Sequence, residues 1–304
     1  MEVRSGFATS PAGGVQLCFE DMGDANDPPV LLIMGLSAQL LLWRTGFCEQ
    51  LVARGFRVIR FDNRDVGLSS KTERVGPDHP LLPRLLAFWA GRGGGPSDYT
   101  LDDMADDTAA VLDHLDIERA HIVGGSMGGM IAQVFAARFP ARTRSLAVIF
   151  SSNNRPFLPP PGPRALQAIL GGPPADATRE AVIDNVVRVT RITGSPAYQP
   201  SEDWIRQDAA ENYDRSFYPQ GVARQFDAVL AAGSLRRYDQ QISAPTVVIH
   251  GRADKLMRPS GGRAVAAAIR GARLVLFDGM GHDLPQPLWG RVISELADNI
   301  ASAR

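Results

Sequence analysis

Gly124-Gly125-Ser126-Met127-Gly128 lies between the apolar run Ala120-His121-Ile122-Val123 and a helix-like stretch from Met130 to Arg138. A strand that turns sharply into a helix around a serine is the setting that gives the pattern G-x-S-x-G a chemical meaning. Such a serine sits on a strained corner, and its neighbours must be glycines because a Cβ would strike the adjoining strand and helix. Its hydroxyl projects above the sheet edge. The helix behind it aims its unpaired N–H groups back at the same point.

The rest of the chain has to supply a sheet for that corner. Residues 4–9 and 15–22 alternate weakly and predict two antiparallel strands. Pro29-Val30-Leu31-Leu32-Ile33-Met34 is continuously apolar, as a strand buried on both faces should be. Residues 40–54 then predict a helix and Arg57–Phe61 a strand. Residues 102–116 predict a helix, with Thr100 as N-cap and Asp102 and Asp103 in its first turn. Strands follow at 146–150, 245–250 and 273–277, and a helix at 287–302 closes the chain. Strands alternating with helices predict an α/β fold with a doubly wound, mostly parallel sheet.

Two segments break this rhythm. Residues 152–243 contain no strand of the buried type, begin with a Pro-rich stretch and continue as short helices. A connection of that length predicts an inserted helical cap over the carboxyl ends of the strands, with 1–151 and 244–304 forming the core. The second segment, 71–99, carries the apolar patch 81–90 beside Gly91-Arg92-Gly93-Gly94-Gly95. It is read either as a lid that touches lipid or acyl chains or as packing against the cap.

Bulk composition narrows the function. The formal net charge of −1 gives no reason to expect a nucleic acid partner. Lys71 and Lys255 are the only lysines among 32 basic residues, a bias that codon usage explains. Cys18 and Cys48 stand in apolar surroundings with no metal-ligand spacing, so buried thiols and no metal are expected. The first residues lack an apolar core, and no run approaches the length of a membrane span. The expectation is a cytoplasmic chain without cofactor.

A serine hydroxyl attacks only when a base takes its proton, and an acid must orient that base. After a serine on such a corner the acid comes next in sequence and the histidine last. Of five histidines, His79 lies in the variable loop, His114 in a helix, His121 within a strand and His250 at a strand end. His282, in Gly279-Met280-Gly281-His282-Asp283, follows the last strand in a loop at the sheet's carboxyl end. It is the candidate base. Asp254, in the loop after strand 245–250, is the candidate acid. Asp278 and Asp283 are nearer alternatives that would have to bend back on their own loop.

The oxyanion of a tetrahedral intermediate needs two donors. The backbone N–H of Met127 is one, and that of Leu36, in the turn Met34-Gly35-Leu36-Ser37-Ala38, is the other; Ser37 could add a hydroxyl. Asp62 and Arg64 follow the next strand. Burying them costs energy unless they are paired, so they are read as a network bracing the oxyanion turn.

With these pieces in view, the chain resembles the α/β-hydrolase superfamily over nearly its whole length. The matching pieces are Met34-Gly35, the run Asp62-x-Arg64-Asp65-x-Gly67-x-Ser69, the Gly124–Gly128 corner, His250-Gly251-x-x-Asp254 and Gly279-Met280-Gly281-His282. Within it the chain looks most like serine esterases of the aclacinomycin methylesterase type. The resemblance implies a helical cap and Ser126, His282 and Asp254 as triad. Met34 departs from the histidine that many relatives place before the oxyanion glycine. The long 71–99 loop keeps the methylesterases' polyketide substrate from being carried over.

The expected activity is cofactor-independent hydrolysis of a small-molecule ester or acyl substrate. The alternatives are a thioesterase or lysophospholipase, a carbon–carbon bond hydrolase, a cofactor-free haloperoxidase, and a non-catalytic binding module of the same fold. Phe157, Trp204, Tyr213 and Phe217 are open between cap core and pocket wall.

Overall fold

The computed structural model describes residues 2–11, 13–72, 80–93 and 95–303. In chain order the strands are β1 (Val3–Thr9), β2 (Gln16–Met22), β3 (Pro29–Ile33), β4 (Arg57–Phe61), β5 (Ala120–Gly125), β6 (Thr143–Ile149), β7 (Thr246–Gly251) and β8 (Arg273–Phe277). The helices of the first half are α1 (Thr45–Val52), α2 (Leu81–Trp89), α3 (Leu101–His114) and α4 (Met127–Arg138). Between β6 and β7 come α5 (Pro163–Leu170), α6 (Arg179–Thr193), α7 (Glu202–Arg215), α8 (Pro219–Ala232) and the short α9 (Arg236–Asp239). After β7 follow α10 (Pro259–Ala268) and α11 (Trp289–Ala301).

The strands form one sheet in the order β1-β2-β4-β3-β5-β6-β7-β8. β2 is antiparallel to both its neighbours, and β3 through β8 run parallel. The apolar run in β3 explains the two layers. Val30 and Leu32 join Phe47 and Leu51 of α1 and Val292 and Ile293 of α11 on one face. Leu31 and Ile33 join Val111 of α3 and Ile131 and Val134 of α4 on the other. Alternate residues face opposite sides of a strand, so a strand buried on both sides must be apolar throughout.

Local signals place the helices. Thr100 accepts the N–H of Asp103, and the Asp103 carboxylate accepts the N–H of Thr100 at 2.7 Å, a reciprocal cap at the start of α3. The helix expected over 40–54 is broken instead. A 3₁₀ turn at Leu40–Leu42 precedes α1, which begins only at Thr45. Arg60 takes the Trp43 carbonyl, an acceptor that a continuous helix would use, while Asp62 takes the Leu40 N–H at 2.7 Å, an end donor that has no partner within a helix. The unannounced α10 begins at Pro259, and its Gly262 lets it lie against β7: a Cβ there would stand 2.5 Å from His250 Nδ1.

The segment 71–99 contains α2, whose two sides answer the two readings differently. Phe88 packs on the core, Arg84 pairs with Asp227 of α8, and the Trp89 ring meets Phe157 edge-on at 5.0 Å. Leu82 and Leu86 remain 68% and 58% exposed. His79 lies outside the described residues. The stretch after α8 joins the core: Leu235, Tyr238 and Ile242 share the cluster of α4.

Arg64 and Asp107 are both buried and meet in a two-pronged ion pair at 2.6 and 2.7 Å. Removing one partner of such a pair leaves a charge stranded in the interior. Asp107→Ala should therefore cost roughly 3–5 kcal/mol of stability, read as a lower denaturation midpoint with unchanged slope in urea.

Candidate active site

Ser126 is the hinge between β5 and α4. Its backbone adopts φ 55° and ψ −122°, a conformation that non-glycine residues rarely take. The corner closes because its neighbours carry no side chain: a Cβ on Gly124 would lie 2.2 Å from Gly128 O, and one on Gly128 2.2 Å from Ile33 O. The Ser126 N–H donates to Ile149 O at 3.0 Å, and its carbonyl accepts from Ser151 Oγ at 2.6 Å. These bonds hold the strained corner while the side chain stays partly exposed.

The residues singled out in sequence come together here. The Ser126 hydroxyl is 2.9 Å from His282 Nε2, and His282 Nδ1 is 2.8 Å from Asp254 Oδ2. A carboxylate can only accept, so Nδ1 carries the ring proton and Nε2 is left to accept from the serine. The Asp254 carboxylate also accepts the N–H groups of Leu256 and Met257 through Oδ1, both at 2.9 Å. Burial works to raise its pKa, but the His282 and His250 imidazoles outweigh it and hold the carboxyl at about 2.

The rival acids are occupied elsewhere. Asp278 is exposed and pairs with Arg252 at 2.8 Å. Asp283 is bound to the Ser195 hydroxyl, and burial pushes its carboxyl up. His250 donates from Nε2 to Met257 O at 2.5 Å, fixing the loop that carries Asp254. His121 meets Ser145 Oγ at 2.9 Å, with its pKa pushed down to about 4 by burial and by Arg144 and Arg119. His114 is exposed on α3 against Phe19.

The turn after β3 stands beside the serine. A Cβ on Gly35 would lie 2.9 Å from Ser126 Cβ and 3.4 Å from its Oγ. Within this turn Asn63 Nδ2 donates to Met34 O at 2.8 Å, and Ala38 N–H donates to Gly35 O at 3.3 Å. Leu36 lies between these anchored groups, and Met127 is the first residue of α4, where backbone N–H groups have no helical partner. Ser37 takes φ 61°, and its N–H is already bound by Gln225.

The charges after β4 are all paired, though not with each other. Asp62 meets Arg215 of α7 at 2.7 Å, Arg64 meets Asp107 of α3, and Asp65 meets Arg224 of α8 at 2.9 Å. Asp62 and Asp65 thus tie the loop after β4 to the helices between β6 and β7, and Arg64 ties it to α3. Phe157 and Trp204 are 65% and 45% exposed. The Arg44 guanidinium lies 4.8 Å over the Trp204 ring, and Tyr213 stacks on Phe217 at 5.1 Å.

Reading motifs alone missed three side chains that hold this geometry: Gln225, Ser195 and Arg215. Each lies in the long helical segment, where no local pattern marks a buried polar contact. Among the described residues no His, Cys, Asp and Glu group could hold a metal ion, and no helix is long and apolar enough to cross a membrane. Cys18 and Cys48 are buried free thiols, Cys48 pushed up to about 12 chiefly by burial.

One pH consequence follows from the Asp254 carboxyl. Held at about 2, it is ionised throughout the working range. The kcat/KM profile is therefore expected to show no fall near pH 4 from loss of the Asp254 charge; initial rates from pH 4 to 9 check it. The stability contributed by the depressed Asp254 carboxyl is fully present above the unfolded carboxylate range and is lost progressively as pH falls from that range through about 2.

Comparison with known proteins assigns the fold family. The chain belongs to the alpha/beta hydrolase fold family, whose sequence model matches residues 28–285. It is 30% identical over 297 residues to rhodomycin D methylesterase DnrP of Streptomyces peucetius, covering 89% of this chain and 90% of that protein. It is 29% identical over 248 residues to a 2-hydroxy-6-oxononadienedioate/2-hydroxy-6-oxononatrienedioate hydrolase of Cupriavidus pinatubonensis, covering 77% and 72%. A solved meta-cleavage product hydrolase from Pseudomonas fluorescens superposes with a TM-score of 0.76 at 21% identity, covering 98% of each chain, which is a likeness of fold.

Proposed function

We propose that this α/β hydrolase cleaves carboxylic esters of small molecules through an acyl-enzyme on Ser126, with His282 as base and Asp254 as orienting acid. The observation that carries the reading is the unbroken chain of hydrogen bonds from Asp254 through His282 to the Ser126 hydroxyl. The methylesterase relative supports the ester class.

Ser126 Oγ attacks the ester carbonyl as its proton passes to His282 Nε2. Asp254, ionised and bonded to Nδ1, stabilises the imidazolium that forms. The N–H groups of Leu36 and Met127 receive the oxyanion, and a fixed donor of this kind is worth a factor of roughly 10²–10³ in kcat. The alcohol leaves with the proton from Nε2. A water, deprotonated by the same nitrogen, then releases the acid and restores the serine. No step calls for a cofactor. The helices within 152–243 form the cap, and substrate lies between it and the Ser126 corner.

A second reading concerns the acyl group. Leu82, Leu86, Trp89 and Phe157 leave an apolar ledge in solvent, and exposed patches of this sort serve lipid or long-chain substrates. It supports a thioesterase or lysophospholipase acting through the same serine.

Ser126→Ala is expected to lower p-nitrophenyl acetate turnover to background while leaving the melting temperature within about 2 °C, a shift of roughly 1 kcal/mol for a chain of this size. Hydrolysis that survives the substitution would remove the mechanism. A series of p-nitrophenyl esters from C2 to C16, with the matching thioesters, separates the two readings: kcat/KM highest at C2–C4 supports the small-ester enzyme, and a maximum at C12 or longer supports the acyl-chain enzyme.

A further inference from the structure

Gln225 of α8 is wholly buried and spends both ends of its amide on the loops around the serine. Its Oε1 accepts the Ser37 N–H at 2.8 Å, and its Nε2 donates to Arg64 O at 2.8 Å. These two backbone groups belong to different loops, one after β3 and one after β4. Gln225 is thus a strut between them, delivered from a helix that is 161 residues or more away in sequence.

The strut matters because of where it lands. Ser37 directly follows Leu36 and holds φ 61°, a backbone state that needs outside support in a residue with a side chain. The other side of Leu36 is already fixed: Asn63 binds Met34 O, and Gly35 is pressed against Ser126. The peptide that carries the Leu36 N–H therefore has one anchor in the core and one in α8. The helix itself is pinned on both sides of Gln225, by Arg224 to Asp65 and by Asp227 to Arg84.

Resting on the esterase reading above, we infer that Gln225 is a positioning residue for the oxyanion donor at Leu36, so that the helical insertion completes the catalytic machinery as well as covering it. The amide touches no reacting atom. It acts by holding the Ser37 N–H, and through it the direction of the preceding peptide. A donor displaced by a fraction of an ångström stabilises the charge that develops on the carbonyl oxygen far less than one in register. Ground-state binding does not use that charge, so the loss belongs to kcat.

The test uses the full chain and p-nitrophenyl acetate. Gln225→Met keeps the volume and removes both hydrogen bonds; kcat should fall about 10–100-fold, less than the loss of a whole donor, with KM within about threefold of the parent. Labelling of Ser126 by a fluorophosphonate, whose phosphoryl oxygen uses the same donors, should slow in parallel. Gln225→Glu retains an acceptor for the Ser37 N–H and should recover part of kcat. Gln225→Asn has the same groups but cannot span both loops, and it should resemble the Met variant if that one folds poorly. A folded Met or Asn variant whose kcat stays within twofold of the parent overturns the inference, as does a loss confined to KM. Failure of the esterase reading is recorded separately, by parent protein that neither hydrolyses the ester nor takes up the label.

Discussion

Everything at this site depends on backbone meeting backbone without side chains between. The start of α4 is wedged so closely against β3 and β5 that a single Cβ on Gly128 would sit 2.2 Å from Ile33 O, and one on Gly124 would meet Gly128 O at the same distance. That approach sets the Ser126 corner above the strand ends and brings the turn at Gly35 against it. The price is a serine at φ 55°, a strain the surrounding hydrogen bonds and both apolar layers keep in place. Glycine is required here by contact distance; at Gly279, where φ is 70° and a Cβ would lie 2.4 Å from Ala197 Cβ, conformation and contact both demand it.

Behind the corner lies a layer of buried charge. Asp62, Arg64 and Asp65 leave β4 within four residues, and each finds its partner on a different helix: α7, α3 and α8. Isolated, any of them would be costly in the interior; paired and hydrogen-bonded, they fix where those helices can sit. Asp62 also accepts the N–H groups of Leu40 and Leu68, so one carboxylate sets the course of two loops as well as a helix. The neighbouring Arg60 takes the Trp43 carbonyl, and the expected helix at 40–54 does not form as one piece. A tertiary contact to Trp43 outweighs the local preference of the segment.

How much could be read from the chain alone follows the same division. The strands announce themselves because burial on two faces demands apolar runs, and α3 announces itself because its cap is made by its own residues, Thr100 and Asp103. Ser126, Asp254 and His282 are recognisable because their chemistry needs particular residue types at strand ends, and the structure brings all three within hydrogen-bond distance. α10 is hidden because its glycines serve close packing, Gly261 on Ser151 and Ser152 and Gly262 on His250, and weaken the helical pattern. Gln225, Ser195 and Arg215 are hidden for a different reason. Each contact joins segments far apart in sequence, and a polar residue in a helix or a loop reads the same whether it faces water or a buried polar partner.

Those hidden contacts share a logic. The sheet holds Ser126 directly, but Leu36 and His282 lie on loops, and a loop anchored at one end only can swing. Each loop has a second anchor in the helical segment between β6 and β7. Gln225 binds Ser37 beside Leu36. On the other side the His282 N–H donates to Thr193 O at 2.8 Å, and Ser195 Oγ accepts the Gly281 N–H at 2.9 Å while donating to Asp283. Gly281 permits this contact, since a Cβ there would stand 2.4 Å from Gly194 O. The anchors come from separate helices of the segment, the C-terminus of α6 with the loop after it and the middle of α8. A shift of these helices relative to the sheet would therefore move the turn at Leu36 and the histidine loop and leave the serine where it is. On the proposed reading, those helices hold the loops of the Leu36 donor and of the His282 base, so a ligand that moved them would move both proposed groups together.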